Sequence, residues 1–325
     1  MSEKQKKLAF FLGCVIPNRY PMVETSIKRV FAEFDYELLD MKGAGCCPAP
    51  GVFRSFDIDT WLVLAARNIS IAEELGTDIV TGCNGCYGTL LEANHILTHN
   101  VSKREKVNQH LGKIGKEFRG TIRVRHIIEV FYNDIGVQAV KDKIRYRLPL
   151  KVAAHAGCHL VKPAGIRPWG GKTENFTAFD ELIESTGAES VDYNEKNMCC
   201  GAGGGLRSAM KEVALDFTRE KLEGIRQAGA DIICVCCPFC EMQFDLGQVE
   251  INTIFKDLNS SGQPFQIPVI YYTQLLGLAL GINPHDLGLI VNHNLKSVPP
   301  YTPIDPFLHK LRRTLSKFGV ILEEL

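Results

Sequence analysis

Short apolar runs alternate with longer amphipathic segments along this chain, and two of the runs recur in its second half. The runs in KLAFFLGC and TDIVTGC of the first half correspond to those in KVAAHAGC and ADIICVCC of the second, and each leads to a cysteine. Apolar runs of about four to eight residues are typical of buried strands. We therefore expect strands that place cysteines in the loops at their carboxyl ends.

The segments between these runs have helical periodicity. Apolar positions recur three and four residues apart in residues 61–75 and 209–228, and also after the Cys-x-x-Cys motif of each half. Alternating strands and helices predict βαβ units, in which crossover helices connect the strands of a parallel sheet. The prediction is an α/β fold of two tandem pseudo-symmetric modules with mainly parallel sheets. Loops at the carboxyl ends of such strands meet in one crevice, so we expect the cysteine loops to converge at the cleft between the modules.

The length of the repeat sets the predicted domain boundaries. We predict a first cysteine-rich domain over residues 1–150, a second over 151–290 and a C-terminal tail over 291–325. Residues 101–145 are polar and are predicted to form an exposed helix or hairpin. The tail has several prolines followed by a basic amphipathic helix, which either packs on the protein or docks a partner.

Composition gives no sign of a nucleic acid or membrane partner. Of the 325 residues, 45% are apolar and 23% are charged, and 37 basic residues balance 37 acidic ones. This balance does not favour binding to nucleic acid or to an anionic membrane. The apolar stretch TQLLGLALGI is about half of the ~20 residues that span a bilayer. We expect a cytoplasmic protein with no direct insertion into a membrane.

The cysteine content is unusual. Twelve cysteines without a recognisable export signal indicate reduced thiols that bind a metal, rather than a disulfide framework. Ten of them form two copies of one pattern, a single cysteine, an adjacent pair and a Cys-x-x-Cys motif. Corresponding cysteines lie 144 to 154 residues apart, which indicates a duplicated module. The copies are Cys14, Cys46, Cys47, Cys83 and Cys86, and Cys158, Cys199, Cys200, Cys237 and Cys240.

Five thiols in each copy favour an iron–sulfur cluster over zinc. A closed zinc site takes four ligands in a tetrahedron. Adjacent cysteines bind one small ion only with distortion, whereas they can bind neighbouring irons of a cluster, and soft thiolates suit iron–sulfur chemistry. Zinc and a redox-active dithiol remain alternatives. The compact Cys-x-x-Cys-x-x-Cys run of ferredoxins is absent from the sequence.

Glycines and histidines beside the cysteines are candidates for supporting roles. Gly201, Gly203 and Gly204 directly follow the second adjacent pair and precede a helical segment. Glycine allows close approach of the backbone to a cofactor, and amides at a helix start stabilise an anion. A flexible turn is the alternative. His155 and His159 flank Cys158, where a proton donor would sit, although hydrogen-bonded packing is the common role of such histidines.

Basic residues and two further cysteines complete the set of candidates. Arg19 and Arg207, together with Lys162 and Arg167, follow cysteines closely and suit the anionic ends of a substrate. Solvated surface charges are the alternative for each. Two further thiols have no counterparts in the first half and are interpreted as structural, with an auxiliary cluster contact as the alternative: Cys234 and Cys236.

Seven motifs together resemble a known family. They are GCVIPNRYPMVETS, CCPAPGVFRS and GCNGCYGTL, then HAGCHLVKP, CCGAGGGLRS, CPFCEMQFDLGQ and YYTQLLGLALGI. Over about residues 7–295 the chain resembles the B subunit of heterodisulfide reductase, which is built from two cysteine-rich CCG domains. The resemblance implies that each set of five cysteines holds a non-cubane [4Fe-4S] cluster. It also implies reduction of the mixed disulfide of coenzyme M and coenzyme B to two thiols, in a methanogenic or related archaeal cytoplasm.

The resemblance further implies partners that deliver electrons. The sequence has no flavin or nicotinamide fingerprint, so the electrons come from elsewhere. The family implies a ferredoxin-like C subunit, fed by a flavin-containing A subunit or by a membrane cytochrome. A related CCG-domain subunit of a thiol-dependent fumarate reductase or a glycolate or lactate oxidase is an alternative. A non-catalytic zinc-binding or electron-relay scaffold is another.

Overall fold

Two parallel sheets of four strands each form the frame of the protein. The computed structural model describes residues 6–171, 173–258, 262–290 and 299–317. The strands of the first sheet are β1 (Lys6–Phe10), β2 (Tyr36–Asp40), β3 (Ile79–Thr81) and β4 (Val124–His126). Those of the second sheet are β5 (Lys151–His155), β6 (Glu189–Val191), β7 (Ile232–Val235) and β8 (Val269–Tyr271).

Helices connect the strands of both sheets. In the first half they are α1 (Val15–Arg19), α2 (Pro21–Glu33), α3 (Phe53–Phe56), α4 (Ile58–Leu75), α5 (Asn84–His99), α6 (Val101–Leu111), α7 (Ile127–Glu129) and α8 (Val137–Lys143). A π-helical turn, Val130–Gly136, joins the last two. In the second half they are α9 (Cys158–Val161), α10 (Ala178–Glu184), α11 (Leu206–Ala209), α12 (Lys211–Gln227), α13 (Pro238–Thr253), α14 (Tyr272–Ala279) and α15 (Asp305–Lys317). Short 3-10 turns are Gly112–Ile114, Ala164–Ile166 and Lys256–Leu258.

The two sheets have the same topology. The strand order is β2-β1-β3-β4 in the first and β6-β5-β7-β8 in the second, and every pair is parallel. The prediction of two pseudo-symmetric α/β modules with parallel sheets is therefore confirmed. Both inner strands of each sheet lead into a cysteine loop, because β1, β3, β5 and β7 precede Cys14, Cys83, Cys158 and Cys237.

Local signals fix the ends of the long helices. The helix predicted over residues 61–75 begins three residues earlier, at Ile58, because Asp57 caps it. The Asp57 carboxylate accepts hydrogen bonds from the amides of Asp59 and Thr60, at 2.9 and 3.1 Å. The helix ends at Gly76, whose φ of 69° lies in the left-handed region that glycine adopts readily.

The fourth strand of the first sheet lies within the segment predicted to be an exposed helix or hairpin. Part of residues 101–145 does form α6, but β4 and the helical stretch after it are buried. The polar sequence concealed this, because Arg125 in β4 is buried against two acidic residues. Its guanidinium donates to Glu129, and to both carboxylate oxygens of Asp134 at 2.8 and 3.0 Å. Paired in this way, a charged side chain is tolerated in a core strand.

The C-terminal helix packs on the second module. Phe307, Leu308 and Leu311 of α15 are buried, as the packing alternative predicted. The segment before the helix is held by the buried Asp245, whose carboxylate accepts hydrogen bonds from the Tyr301 and Thr302 amides at 2.9 and 2.7 Å. The remainder of the predicted tail, residues 291–298 and 318–325, lies outside the described residues.

The two modules share one continuous hydrophobic core. At their interface α2 packs on α14, where the hydroxyls of Ser26 and Thr273 are hydrogen-bonded at 2.6 Å. The ring of Phe131 contacts that of Tyr272 edge-on, with centroids 5.7 Å apart. Within the described parts of the chain, none of the helices combines the length and the apolar character that crossing a bilayer needs.

Candidate metal centre

The five cysteines of each half form one connected group of thiols, and no disulfide joins any of the twelve. We call these groups the first and the second thiol site. In the first site, hydrogen bonds between thiols follow the order Cys14, Cys46, Cys47, Cys86 and Cys83. In the second site they follow the equivalent order, Cys158, Cys199, Cys200, Cys240 and Cys237. The Sγ atoms of Cys200 and Cys240 are 3.4 Å apart.

One thiol of each adjacent pair is poised as a thiolate. Hydrogen bonds from Cys158 and Cys200 lower the pKa of Cys199 to about 2. The Gly201 amide also donates to the Cys199 sulfur, at 3.3 Å. At the equivalent position, hydrogen bonds from the corresponding two neighbours lower the pKa of Cys46 to about 3. Because thiolates are the form that binds metals, both sites have the donor chemistry of a metal centre.

The two thiol sites meet at equivalent cysteines. A hydrogen bond with Cys237 raises the pKa of Cys83 well above its usual value. Burial would raise the pKa of Cys237, but hydrogen bonds with Cys240 and Cys83 lower it well below its usual value. Contact between residues at equivalent positions is what a twofold relation between modules produces. The predicted convergence of the cysteine loops at the cleft is confirmed.

Glycines leave the space that the thiols occupy. Gly13 and Gly157, which precede the single cysteine of each half, have φ values of 67° and 77°. A Cβ on Gly13 would lie 2.6 Å from the Cys86 sulfur, and one on Gly157 would lie 3.3 Å from the Cys240 sulfur. A side chain at either position would therefore occupy the room where the thiols gather. Their recurrence before both single cysteines was a sequence signal for this role.

A cavity of ≈ 230 Å³ opens beside the second thiol site. The second half contributes all five cysteines of the second thiol site, His159 and the glycine loop to its walls, while the first half contributes Pro50, Gly51 and Asn84. The two loops touch, because a Cβ on Gly51 would lie 2.5 Å from the Cα atom of Gly204, its equivalent in the repeat. Both modules thus form the cavity, which needs small residues at this contact.

Comparison with known proteins decides the family. The model of the CCG cysteine-rich domain matches residues 8–91 and 152–245. Each match contains all five cysteines of one thiol site. The chain belongs to the CCG cysteine-rich domain family.

Relatives of this CCG protein are named as reductase subunits and as an iron-sulfur protein. It is 50% identical to the B subunit of the ferredoxin/F420H2-dependent CoB-CoM heterodisulfide reductase of Methanosarcina acetivorans, over 88% of this chain and 93% of the relative. It is 30% identical to the 8-methylmenaquinol:fumarate reductase membrane anchor subunit of Wolinella succinogenes, over 90% and 97%. An uncharacterized iron-sulfur protein of Methanococcus maripaludis is 27% identical over 85% of this chain and 47% of its own. The resemblance drawn from the motifs is confirmed.

A solved structure shares the fold. A hypothetical protein from Helicobacter pylori superposes with a TM-score of 0.69 at 16% identity, over 88% of this chain and 51% of that one. The arrangement of two α/β modules therefore occurs in a second protein of very different sequence. At this level of identity the likeness concerns the fold alone.

The three predicted glycines of the second CCG module occupy different positions. Gly203 and Gly204 line the cavity, where they bring backbone close to the thiols. Gly201 instead faces α12, and its φ is 93°. A Cβ there would lie 2.2 Å from the Ala214 carbonyl oxygen, so this glycine is required by helix packing. Its contribution to the site is the amide hydrogen bond to Cys199.

The two predicted histidines occupy different positions in the second CCG module. His155 is buried against Cys200 and Cys240, with the three ligand atoms within 4.8 Å of one another. Burial lowers its pKa to about 3, so its ring is neutral at neutral pH and is a weak proton donor. His159 lines the cavity, and burial also lowers its pKa. The proton-donor role is better matched by the position of His159 and stays a prediction.

The predicted basic residues do not line the cavity of the CCG protein. Arg19 lies exposed on α1, and Arg207 forms an ion pair with Glu250 at 2.6 Å and a hydrogen bond to Gln243 at 2.9 Å. Arg167 is buried with its guanidinium 4.8 Å from the centre of the Tyr87 ring. Lys162 is also not among the residues that line the cavity. Protein partners or solvent hold these side chains away from the cavity, and their contact with a substrate stays a prediction.

The extra thiols of the second CCG module form no hydrogen bonds with the thiols of its site, which favours the structural role. Cys234 is fully buried in β7. Cys236 donates from its sulfur to the Ala156 carbonyl oxygen at 3.2 Å. Asn84 of the first module donates to the same oxygen, at 2.7 Å. Asn84 lies between the two cysteines of the first Cys-x-x-Cys motif. Sequence reasoning considered only the cysteines of this motif and did not single it out.

Tyr271 at the end of β8 is a second residue that sequence reasoning missed. Its buried hydroxyl contacts the carbonyl oxygens of Gly82 and Cys236, the latter at 2.8 Å. These two residues are equivalent in the repeat, and each directly precedes the first cysteine of a Cys-x-x-Cys motif. One hydroxyl thus ties the two cysteine loops together.

Replacement of this hydroxyl tests its structural contribution. Tyr271→Phe is expected to lower the free energy of unfolding by about 1–3 kcal/mol, because two buried carbonyl groups lose the one hydroxyl proton that they share. Chemical denaturation of the full chain measures the change. Tyr132→Phe is the matched control, because the Tyr132 hydroxyl bonds Glu181 in a less buried position. Equal effects of the two changes would contradict a special role for Tyr271.

Proposed function

We propose that this chain is the catalytic B subunit of a heterodisulfide reductase, which reduces the coenzyme M–coenzyme B mixed disulfide at iron–sulfur clusters held by its two thiol sites. The observation that carries the proposal is the contact of the two five-thiol sites beside a cavity built by both modules. The 50% identity to a relative of that name, over 88% of the chain, supports the same conclusion.

The donor sets fit iron–sulfur clusters. Each site offers five soft thiols in contact, of which at least one is favoured as a thiolate. Glycines keep the space beside the thiols free of side chains. We propose non-cubane [4Fe-4S] clusters, held by Cys14, Cys46, Cys47, Cys83 and Cys86 and by Cys158, Cys199, Cys200, Cys237 and Cys240. Zinc fits less well, since the group of His155, Cys200 and Cys240 offers only three ligands.

The two sites suit a substrate with two sulfur atoms. When bound, an iron–sulfur cluster supplies single electrons and iron atoms with affinity for sulfur. The protein would place such chemistry on both sides of one interface, beside a cavity whose walls are mainly apolar and small residues. The overall reaction consumes the disulfide, two electrons and two protons and forms two thiols. His159 is the proposed proton donor because its imidazole lines the cavity.

Electrons reach the chain from partners in this proposal. A ferredoxin-like C subunit would deliver them, supplied by a flavin-containing A subunit or by a membrane cytochrome, and the complex would be cytoplasmic. The named relative from Methanosarcina acetivorans is described as dependent on ferredoxin/F420H2, which supports a partner of this kind. The isolated chain should therefore reduce the disulfide with a small artificial donor and poorly with a physiological one.

A related reductase subunit is the second candidate. The 30% identity to a subunit of a fumarate reductase, over 90% of the chain, favours it. Turnover of anaerobically prepared chain with a reduced viologen dye separates the candidates when the mixed disulfide and fumarate are compared. We expect disulfide-dependent oxidation of the dye and none with fumarate. Iron-loaded chain that does not oxidise the dye with the disulfide would favour the second candidate, whose relative is named an anchor subunit, and about two zincs without iron would exclude both.

A further inference from the structure

The two CCG modules differ in one buried residue behind the adjacent cysteine pair. The first long helix after the pair is α4 in the first module and α12 in the second, and both begin at equivalent positions, 153 residues apart. On the same register, Asn68 of α4 corresponds to Lys221 of α12. Both side chains are almost completely buried, with 1% and 0% of their surface exposed. A neutral side chain and a cation thus occupy the same place in the repeat.

Both residues hold the loop that leads to the cysteine pair. The Asn68 amide donates to the Cys46 carbonyl oxygen at 2.9 Å and accepts from the Gly45 amide at 3.1 Å. The Lys221 ammonium donates to three carbonyl oxygens of the second loop, those of Glu195, Lys196 and Met198, at 2.5, 3.0 and 3.0 Å. Asn68 and Lys221 therefore both form hydrogen bonds with the loop before the cysteine pair, but only Lys221 carries a charge.

No carboxylate pairs directly with this ammonium group. Among the residues that the structure describes, none forms an ion pair with Lys221. The carbonyl oxygens and the Tyr193 ring, whose centre lies 5.5 Å from the Nζ atom, are neutral partners. Burial lowers the pKa of Lys221 to about 8, so its amine is still mainly protonated at neutral pH. Nearby groups oppose this shift; in decreasing order they are Cys200, Cys240, Cys199 and Glu195.

Burying a cation without a paired counter-ion costs free energy, so we expect an anion close to the Lys221 ammonium. A thiolate-bound iron–sulfur cluster is an anion, and it becomes more negative on reduction. The reduction potential of such a cluster depends on net charge and on burial. A fixed positive charge against the second thiol site therefore favours the reduced state there. Asn68 provides no such charge at the first site.

We propose that Lys221 is a positioning residue whose buried charge raises the reduction potential of the second site and so makes the two sites of this symmetric protein electrically unequal. The inference rests on the proposed function, since it requires an iron–sulfur cluster in each site. Electrons would be held more firmly at the second site, beside the cavity. The duplication would then yield two sites of similar structure and different potential.

Redox titration of the full chain, followed by electron paramagnetic resonance, tests this. The variants are Lys221→Met, which removes the charge and keeps the length, and Asn68→Leu, the matched control that removes hydrogen bonds at the equivalent position without changing charge. Cys46→Ala and Cys199→Ala assign the signals to the two sites. We expect Lys221→Met to reduce the equilibrium constant for reduction of the second site at least tenfold, which is about 59 mV for a one-electron couple. Asn68→Leu should change the equilibrium constant for reduction of the first site less than threefold.

Each other outcome has a defined meaning. Unchanged potentials in Lys221→Met at full iron content would overturn the inference. An equal shift in Asn68→Leu would also overturn it, because loop geometry would then be responsible. Lys221→Met could take up iron only at the first site. In that case Lys221→Arg is measured, because the inference requires that a retained positive charge restores iron loading at the second site. An iron-free wild-type protein would instead refute the proposed function itself, and iron analysis identifies that case before any titration.

Discussion

Cys237→Ala is expected to remove about half of the iron of the protein and to lower disulfide turnover at least about a hundredfold, a loss of roughly 2.7 kcal/mol of transition-state stabilisation. Cys237 belongs to the second thiol site and also contacts Cys83 of the first. Its loss removes a ligand where the two sites meet. Iron analysis and steady-state turnover with a reduced viologen dye measure both effects.

Cys234→Ala is the matched control for this change. Cys234 lies three residues earlier, is equally buried in β7, and takes no part in the connected thiols. This variant should keep its iron and its turnover while losing a little stability through the smaller side chain. Full iron in Cys237→Ala, or an equal loss in Cys234→Ala, would show that Cys237 is not a ligand.

Gly13→Ala is expected to abolish loading of the first site while the second keeps its iron. The added Cβ would lie 2.6 Å from the Cys86 sulfur, and the φ of 67° disfavours any side chain. The thiol has to move away, which breaks the order of contacts in the first site. Iron content should fall by about half and disulfide turnover should fall in parallel, because a cluster is held only when its full set of thiolate ligands is in place.

Gly43→Ala separates the lost space from backbone strain. Gly43 has a φ of 85°, and no atom lies within 4 Å of the position that its Cβ would take. This control should lower stability by about 1 kcal/mol, the usual cost of a left-handed conformation, and should leave the iron content unchanged. If Gly43→Ala lost as much iron as Gly13→Ala, strain rather than the thiol contact would be the cause.

Much of the framework could be predicted from sequence because it depends on local patterns. Apolar runs that end in cysteine identified β1, β3, β5 and β7, and the repeat identified the two modules. The strand β4 was not predicted, because Glu129 and Asp134, the partners that neutralise the buried Arg125, are recognisable only in the folded chain.

The details of the site depend on contacts between distant segments. Arg207 looked available for a substrate, but Glu250 lies 43 residues further along the chain and forms an ion pair with it. The helical periodicity of residues 209–228 did not single out Lys221, whereas folding buries its ammonium against the loop that leads to Cys199. Contacts between residues so far apart in the sequence follow no periodicity, so a local sequence pattern does not predict them.

The most direct test of the account is the iron and acid-labile sulfide content of anaerobically prepared protein, read together with its electron paramagnetic resonance spectrum before and after the mixed disulfide is added. The account predicts about eight irons and eight sulfides per chain, four for each site, and a change in the spectrum that the disulfide produces and fumarate does not. Protein that holds about two zincs, or iron whose spectrum ignores the disulfide, would contradict it.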